Sequence, residues 1–285
     1  MSQNRKKIHF SLPSGGIRGC FQAGFIYQLK KKYNDLFEIY QIDGCSIGSL
    51  NGLCLLFDNP EDIKTQWYAC KNKHDIFDPW LKNKILDRII SVYNGIIHNG
   101  MYRSDALTKM IETAYQNVNK TNLDKYNCVV TNLSNGTYEY INGTNKNIVK
   151  FIVASASPRI ITEPVNIDNK IYNDGNLLHK YPIDNFKNSK ADIKLLIGYE
   201  INYDNKVRNI GNNIIEYLNI LIDITRKHNP NLNKIHKYIN KYNIITIDNA
   251  VNFDALDINI KNITIGFEKG IEAADIFAKK HLLNI

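Results

Sequence analysis

The chain has 285 residues, 44% of them hydrophobic, enough to bury a sizeable core in one large α/β domain or two small ones. A net charge of +8 suits contact with an anionic surface, but no zinc-ligand spacing, RNA-binding aromatic signature or arginine-rich arm accompanies it, so nucleic acid is not an expected partner. The cysteines Cys20, Cys45, Cys54, Cys70 and Cys128 are odd in number, lack CxxC spacing and lie mostly in apolar surroundings, which excludes a disulfide framework and points to reduced core thiols.

In chain order, Met1 to Lys7 is polar and basic, and the apolar run Ile8 to Leu12 ends at Pro13. That run is too short for a signal-peptide core and reads as a first strand. No stretch approaches the roughly 18–20 apolar residues of a membrane span. A cytoplasmic protein, or one peripheral to a membrane, is expected. Without a Pro/Gly/Ser-rich linker, charge block or repeat, residues 1–285 read as a single domain.

A glycine-rich turn, Ser14-Gly15-Gly16-Ile17-Arg18-Gly19, leads into a helix over Cys20 to Tyr33 that closes on Lys30, Lys31 and Lys32. Phe37 to Ile42 reads as a strand, and Leu50 to Phe57 as a buried helix. Asn59 to about Met110 is helical, rich in aromatics and lysines, and is either a lid carrying Trp80, Lys82 and Lys84 or ordinary core helices. Tyr126 to Asn132 and Gly136 to Ile141 form a hairpin about Ser134-Asn135-Gly136. An apolar run over Lys146 to Ser157 follows, and Lys170 to Asn173 leads into Asp174-Gly175. Ile193 to Tyr199 is a buried strand, Asn213 to Lys227 an amphipathic helix, Asn243 to Ile247 a late strand and Glu268 to Leu283 a final helix. This alternation predicts a three-layer α/β fold with a central, mostly parallel sheet.

The chemistry centres on Gly44-Cys45-Ser46-Ile47-Gly48, a Gly-x-Ser-x-Gly pentapeptide between strand and helix. That is the setting of a nucleophile elbow, where glycines make room for a strained serine over a helix N-terminus. A serine hydroxyl needs a base. Of the seven histidines, only His179, His228, His236 and His281 follow the serine in the order a Ser-His-Asp triad uses, and none has the loop-after-strand setting such a histidine needs. An aspartate is the other route. Gly15 and Gly16, at the same sheet edge, can present N–H groups side by side to an oxyanion. The strand–turn–helix opening followed by Asp43 also fits a dinucleotide fold, but Ser14 stands where the first fingerprint glycine belongs.

Taken together, these motifs resemble the patatin-like phospholipases, serine lipid acyl hydrolases with a Ser-Asp dyad. Residues 14–19 match the family's Gly-Gly-Gly-x-Arg/Lys-Gly except at Ser14, residues 44–48 match its nucleophile motif, and Asp174-Gly175-Asn176 matches Asp-Gly-Gly/Ala except at Asn176. The approach through Ala154-Ser155-Ala156-Ser157-Pro158 and Pro164 is similar as well. The resemblance covers about residues 8–185 well and the helical part, about 205–285, loosely. It implies Ser46 as nucleophile, Asp174 as proton acceptor and Gly15 and Gly16 as oxyanion hole. Arg18, Gly19, Gly44, Gly48 and Gly175 would be in support, with Arg18 bracing the loop or meeting a lipid phosphate. It implies a phospholipid or other acyl-lipid substrate at a membrane surface, and no metal or cofactor. Acyl transfer to an acceptor other than water, and lipid binding without catalysis, are the alternatives. Two departures bear on activity. Ser14 carries a hydroxyl able to cap the helix, and Asn176 is placed to narrow the site or bond the aspartate. Read alone, Asp174-Gly175 would be a type I′ hairpin turn.

Overall fold

Alternation in the first strand decides which way the sheet faces. In β1 (Lys6–Leu12), Ile8, Phe10 and Leu12 enter the main apolar core, while His9 and Ser11 are buried on the opposite face. The computed structural model describes residues 5–79, 99–159, 161–199, 241–246, 251 and 253–283. Within them, α1 (Gly19–Lys32) crosses from β1 to the parallel strand β2 (Phe37–Cys45). Next come α2 (Ile47–Leu55), α3 (Glu61–Ala69) and the small ribbon of β3 (Asp78–Pro79) with β4 (Tyr102–Arg103). Then follow α4 (Asp105–Gln116), β5 (Tyr126–Asn132), β6 (Thr137–Asn142) and α5 (Ile148–Ser155). The chain continues with β7 (Val165–Ile167), β8 (Lys170–Asp174), β9 (Ile193–Tyr199), β10 (Asn243–Thr246) and α6 (Ile260–His281).

The main sheet has the order β10-β9-β1-β2-β5-β8-β7, with β6 also on β5. Strands β10, β9, β1, β2 and β5 are mutually parallel, and β6, β7 and β8 are antiparallel additions. The expected mixed α/β fold with a mostly parallel central sheet is therefore observed. Helix α1 is buried along Gly19–Tyr27 and at Leu29, enclosed by α2, α3 and α6. Its apolar residues are accordingly not confined to one stripe. Among the described residues the other sheet face is covered by Tyr181, Ile183 and Phe186 packed round Leu196. The helix expected over 213–227 lies outside the described residues, as do Trp80, Lys82 and Lys84 of the expected lid.

Three local readings are settled or revised. The run at 146–157 is helix α5, because packing against β5, β7 and β8 outweighs the strand preference of Ile148, Val149, Ile152 and Val153. The final helix begins at Ile260, eight residues before the expected Glu268, with Asn259 accepting from the Asn262 N–H as its N-cap. The I′-type turn is not at Asp174-Gly175: it joins β7 to β8 through Asp168 and Asn169, at φ 50° and 61°. Asp174 instead ends β8 and opens a short 3-10 turn, Gly175–Leu177.

The lysines that close α1 are engaged within the fold. Lys30 Nζ donates to the Leu55 carbonyl at 2.9 Å, Lys31 pairs with Glu61 at 2.8 Å and Lys32 with Asp275 at 3.2 Å. They also lie about 20 Å along the helix from the glycine-rich loop. No helix among the described residues is long and apolar enough to cross a membrane.

The register of β5 positions the site. Strand β6 occupies one edge of β5 along its length. The other edge is shared: β2 pairs with Tyr126–Val129, and β8, running the opposite way, with Val130–Asn132. The two strands end tip to tip, Cys45 opposite Val129 and Asp174 opposite Val130.

Candidate active site

Ser46 stands where β2 turns into α2, with φ 56° and ψ −127°. A backbone held there by a non-glycine residue stores about 1–3 kcal/mol of strain. Close packing enforces the turn: a Cβ on Gly48 would lie 1.9 Å from the Leu12 carbonyl oxygen, and one on Gly44 2.5 Å from that of Gly48. The Ser46 N–H donates to Ser155 Oγ at 2.9 Å. Ser155 Oγ in turn donates to the Val129 carbonyl at 2.6 Å and meets Ser49 Oγ at 2.9 Å. Ser155, at the end of α5, thus ties the elbow to β5. Sequence reasoning passed over this role, since a serine in a run of small residues carries no local mark of a partner 109 positions away.

Across the junction, Ser46 Oγ donates to Asp174 Oδ2 at 2.8 Å. Asp174 Oδ1 accepts from the Asn176 N–H at 2.8 Å, and the Asp174 carbonyl accepts from Thr131 Oγ1 at 2.9 Å. Both Ser46 and Asp174 are buried. Burial pushes the Asp174 carboxyl up from 3.8 to about 7, against the opposing pull of the Asn176 and Ser46 hydrogen bonds and of the Arg159 charge. A carboxylate so raised is a far better proton acceptor than an ordinary one and is ionised on the alkaline side of neutrality.

The glycine-rich loop arches over the same end of the sheet. Gly16 has φ 57°, and a Cβ there would lie 2.2 Å from the Ala255 carbonyl oxygen. That carbonyl accepts the Ile17 N–H at 2.8 Å, so the segment before α6 clamps the loop. Neither the Gly15 nor the Gly16 N–H has a hydrogen-bond partner among the described residues. Arg18 Nε donates to the Gly15 carbonyl at 3.4 Å and braces the loop. Gly19 starts α1 against Ile47, and Gly175 lies against the Val129 carbonyl. The Ser14 hydroxyl is not a helix cap: neither the Gly16–Arg18 turn nor α1 has a side-chain cap, and the Ser14 N–H bonds the Lys180 carbonyl at 3.3 Å.

No histidine among the described residues hydrogen-bonds Ser46 or Asp174. His179 is buried, meets the Tyr140 hydroxyl at 2.9 Å and stacks on Tyr138. His281 packs on Phe277, and His228 and His236 lie outside the described residues. Asp43, the candidate ribose-binding acid, is fully buried and accepts from Gln41, Asn127 and Asn185 besides meeting His9 at 2.9 Å. It is a satisfied structural acid. The five cysteines are free and buried. Burial pushes the Cys45 thiol, beside the serine, well above its ordinary value, so it stays protonated.

Two cavities meet at Ser46. One is apolar, lined by Ile17, Leu50, Trp67, Phe77, Leu107 and Met110 among others. The second is more polar, lined by Gly15, Arg18, Ser46, Arg159, Asp174, Asn176 and Lys180 among others. Gly16, Pro158, Ala255 and Leu256 line both.

Residues 10–187 match the model of the patatin-like phospholipase family, the greater part of the chain. The chain belongs to this family. The match takes in the glycine-rich loop, the Ser46 elbow and Asp174 and ends before β9. An uncharacterized protein of Acanthamoeba polyphaga mimivirus, R571, is 24% identical over 285 residues, spanning 93% of this chain and 91% of its own. The crystal structure of VipD from Legionella pneumophila aligns with 95% of this chain and 67% of its own, at 13% identity and a TM-score of 0.41. Membership of the patatin-like phospholipases supports lipid hydrolysis as the general activity.

Proposed function

We infer that this chain is a lipid acyl hydrolase of phospholipase A type, a single patatin-like domain that works through a Ser46–Asp174 dyad. The observation that carries the reading is the 2.8 Å hydrogen bond from Ser46 Oγ to the raised carboxyl of Asp174. In the reaction, Ser46 Oγ attacks the ester carbonyl as its proton passes to Asp174. The Gly15 and Gly16 N–H groups stabilise the oxyanion, where loss of one donor typically costs ~10²–10³ in rate. Asp174 then protonates the departing alkoxide, leaving an acyl-enzyme. Water, deprotonated by Asp174, releases the fatty acid and restores the serine. The apolar cavity beside Ser46 suits the acyl chain. Peripheral contact of a cytoplasmic protein with a lipid surface belongs to the same reading.

The test is labelling with a fluorophosphonate, which traps an activated serine, on wild type and Ser46→Ala, with release of fatty acid from phospholipid followed in parallel. The expected result is labelling and turnover in wild type and neither in the folded variant. A wild type that binds lipid but neither labels nor turns over would establish the non-catalytic alternative. Labelling with acyl transfer to an added alcohol in preference to water would establish the transacylase.

A further inference from the structure

The polar cavity takes in Ser46, Asp174, Gly15 and Gly16, and the rest of its lining is unlike that of its apolar neighbour. Arg159 and Lys180 line it together with Asp174 and Asn176. The Arg159 charge pulls the Asp174 carboxyl down, and burial still keeps it at about 7. Lys180 is mostly buried, its carbonyl holds the Ser14 N–H, and its positive charge reaches the Cys45 thiol next to Ser46. Asn176 adds a buried side-chain oxygen with no hydrogen-bond partner among the described residues. The cavity thus places two cations and one acceptor beside Ser46 and Asp174, while the apolar cavity also opens on Ser46.

That division matches one class of ester. A glycerol phospholipid, or its single-chain form, has an apolar chain on the acyl side of the carbonyl. A phosphate lies a few bonds away on the alcohol side, with a hydroxyl between them in the single-chain form. Resting on the reading of Ser46 as nucleophile, we propose that the polar cavity is the subsite for the lipid's phosphate. Arg159 and Lys180 bind the phosphate oxygens, and Asn176 accepts from a neighbouring hydroxyl. Charge-assisted hydrogen bonds from a guanidinium and an ammonium are the strongest a partly dry cavity offers to a phosphate, and a neutral acylglycerol forfeits them. Arg18 shares the cavity wall but already braces the Gly15 carbonyl.

The test uses the full chain with Ser46→Ala, so that no turnover intervenes, and three probes titrated below micelle formation: dodecyl phosphate, dodecanol and inorganic phosphate. Dodecyl phosphate should bind roughly 10–100-fold more tightly than dodecanol. Arg159→Gln and Lys180→Gln should each remove about tenfold of that advantage without changing dodecanol binding, and Arg159→Lys should restore part of it. Equal affinity for dodecyl phosphate and dodecanol in the parent, or an equal loss on both in the variants, overturns the subsite. Tight binding of inorganic phosphate alone, with no added gain from the chain, would assign the cavity to a free anion and overturn it as a lipid subsite. Wild-type turnover of an acyl glycerol phosphate is then compared with that of the matching monoacylglycerol. A phosphate preference in binding without turnover of either ester would leave the subsite standing and refute Ser46 as nucleophile.

Discussion

Replacing Asp174 by Asn should abolish turnover yet make the protein more stable at alkaline pH. The carboxyl is buried, and burial raises it from 3.8 to about 7. That displacement corresponds to about 4 kcal/mol, at about 1.4 kcal/mol per pH unit. Below about pH 4 the group is neutral in folded and unfolded chains alike and does not affect stability. Between 4 and 7 the unfolded chain releases its proton while the folded one retains it, so stability falls as pH rises. Above about 7 the folded protein carries the full penalty of a buried carboxylate. Asn removes that penalty and can keep the local bonds: its carbonyl accepts from the Asn176 N–H, and its amide donates to a rotated Ser46 hydroxyl. Thermal melts of wild type and Asp174→Asn at pH 5 and pH 8 measure the effect. At pH 8 the variant should melt roughly 5–8 °C higher, and at pH 5 less than half of that gain should remain. A variant no more stable than wild type at pH 8, or one with the same offset at both pH values, would show that Asp174 is not a strained buried acid.

Two further outcomes follow from the same geometry. Because Asp174 must be ionised to accept the serine proton, kcat/KM should rise about tenfold per pH unit below neutrality and level off above about pH 7. A limb near pH 4 would mean an ordinary, solvated carboxylate. Ser155→Ala leaves the buried Ser46 N–H without its acceptor, at a cost of about 1–3 kcal/mol. It should lower kcat with little change in KM, Ser155→Thr should recover part of the loss, and an unchanged kcat would show that the elbow holds itself.

The strand-to-helix elbow at Ser46 was legible because its determinants are local. Gly44 and Gly48 sit next to Ser46, and the strand and helix that create the elbow adjoin them in sequence. The glycine-rich loop was legible for the same reason, and Asp174 through its motif once the others stood beside it. Reading locally misled where tertiary packing decides. Read alone, Asp174-Gly175 has the composition of a hairpin turn and Ser14 that of a cap. In the fold the hairpin turn lies at Asp168-Asn169, and Ser14 caps neither the Gly16–Arg18 turn nor α1.

What the sequence alone determined is the glycine-rich loop and the strand-to-helix junction that presents the serine, because both follow from neighbouring residues and backbone sterics. Only the tertiary structure decided how the reactive groups meet. β2 and β8 share one edge of β5 and run in opposite directions, so Ser46 and Asp174, 128 residues apart, end within hydrogen-bond reach. The Ala255 carbonyl and Ser155 hydroxyl that hold the loop and the elbow come from distant segments with no motif of their own. The proton affinity of Asp174 likewise belongs to no residue type. It is set by removing the carboxyl from water, which happens only when the whole fold closes over it.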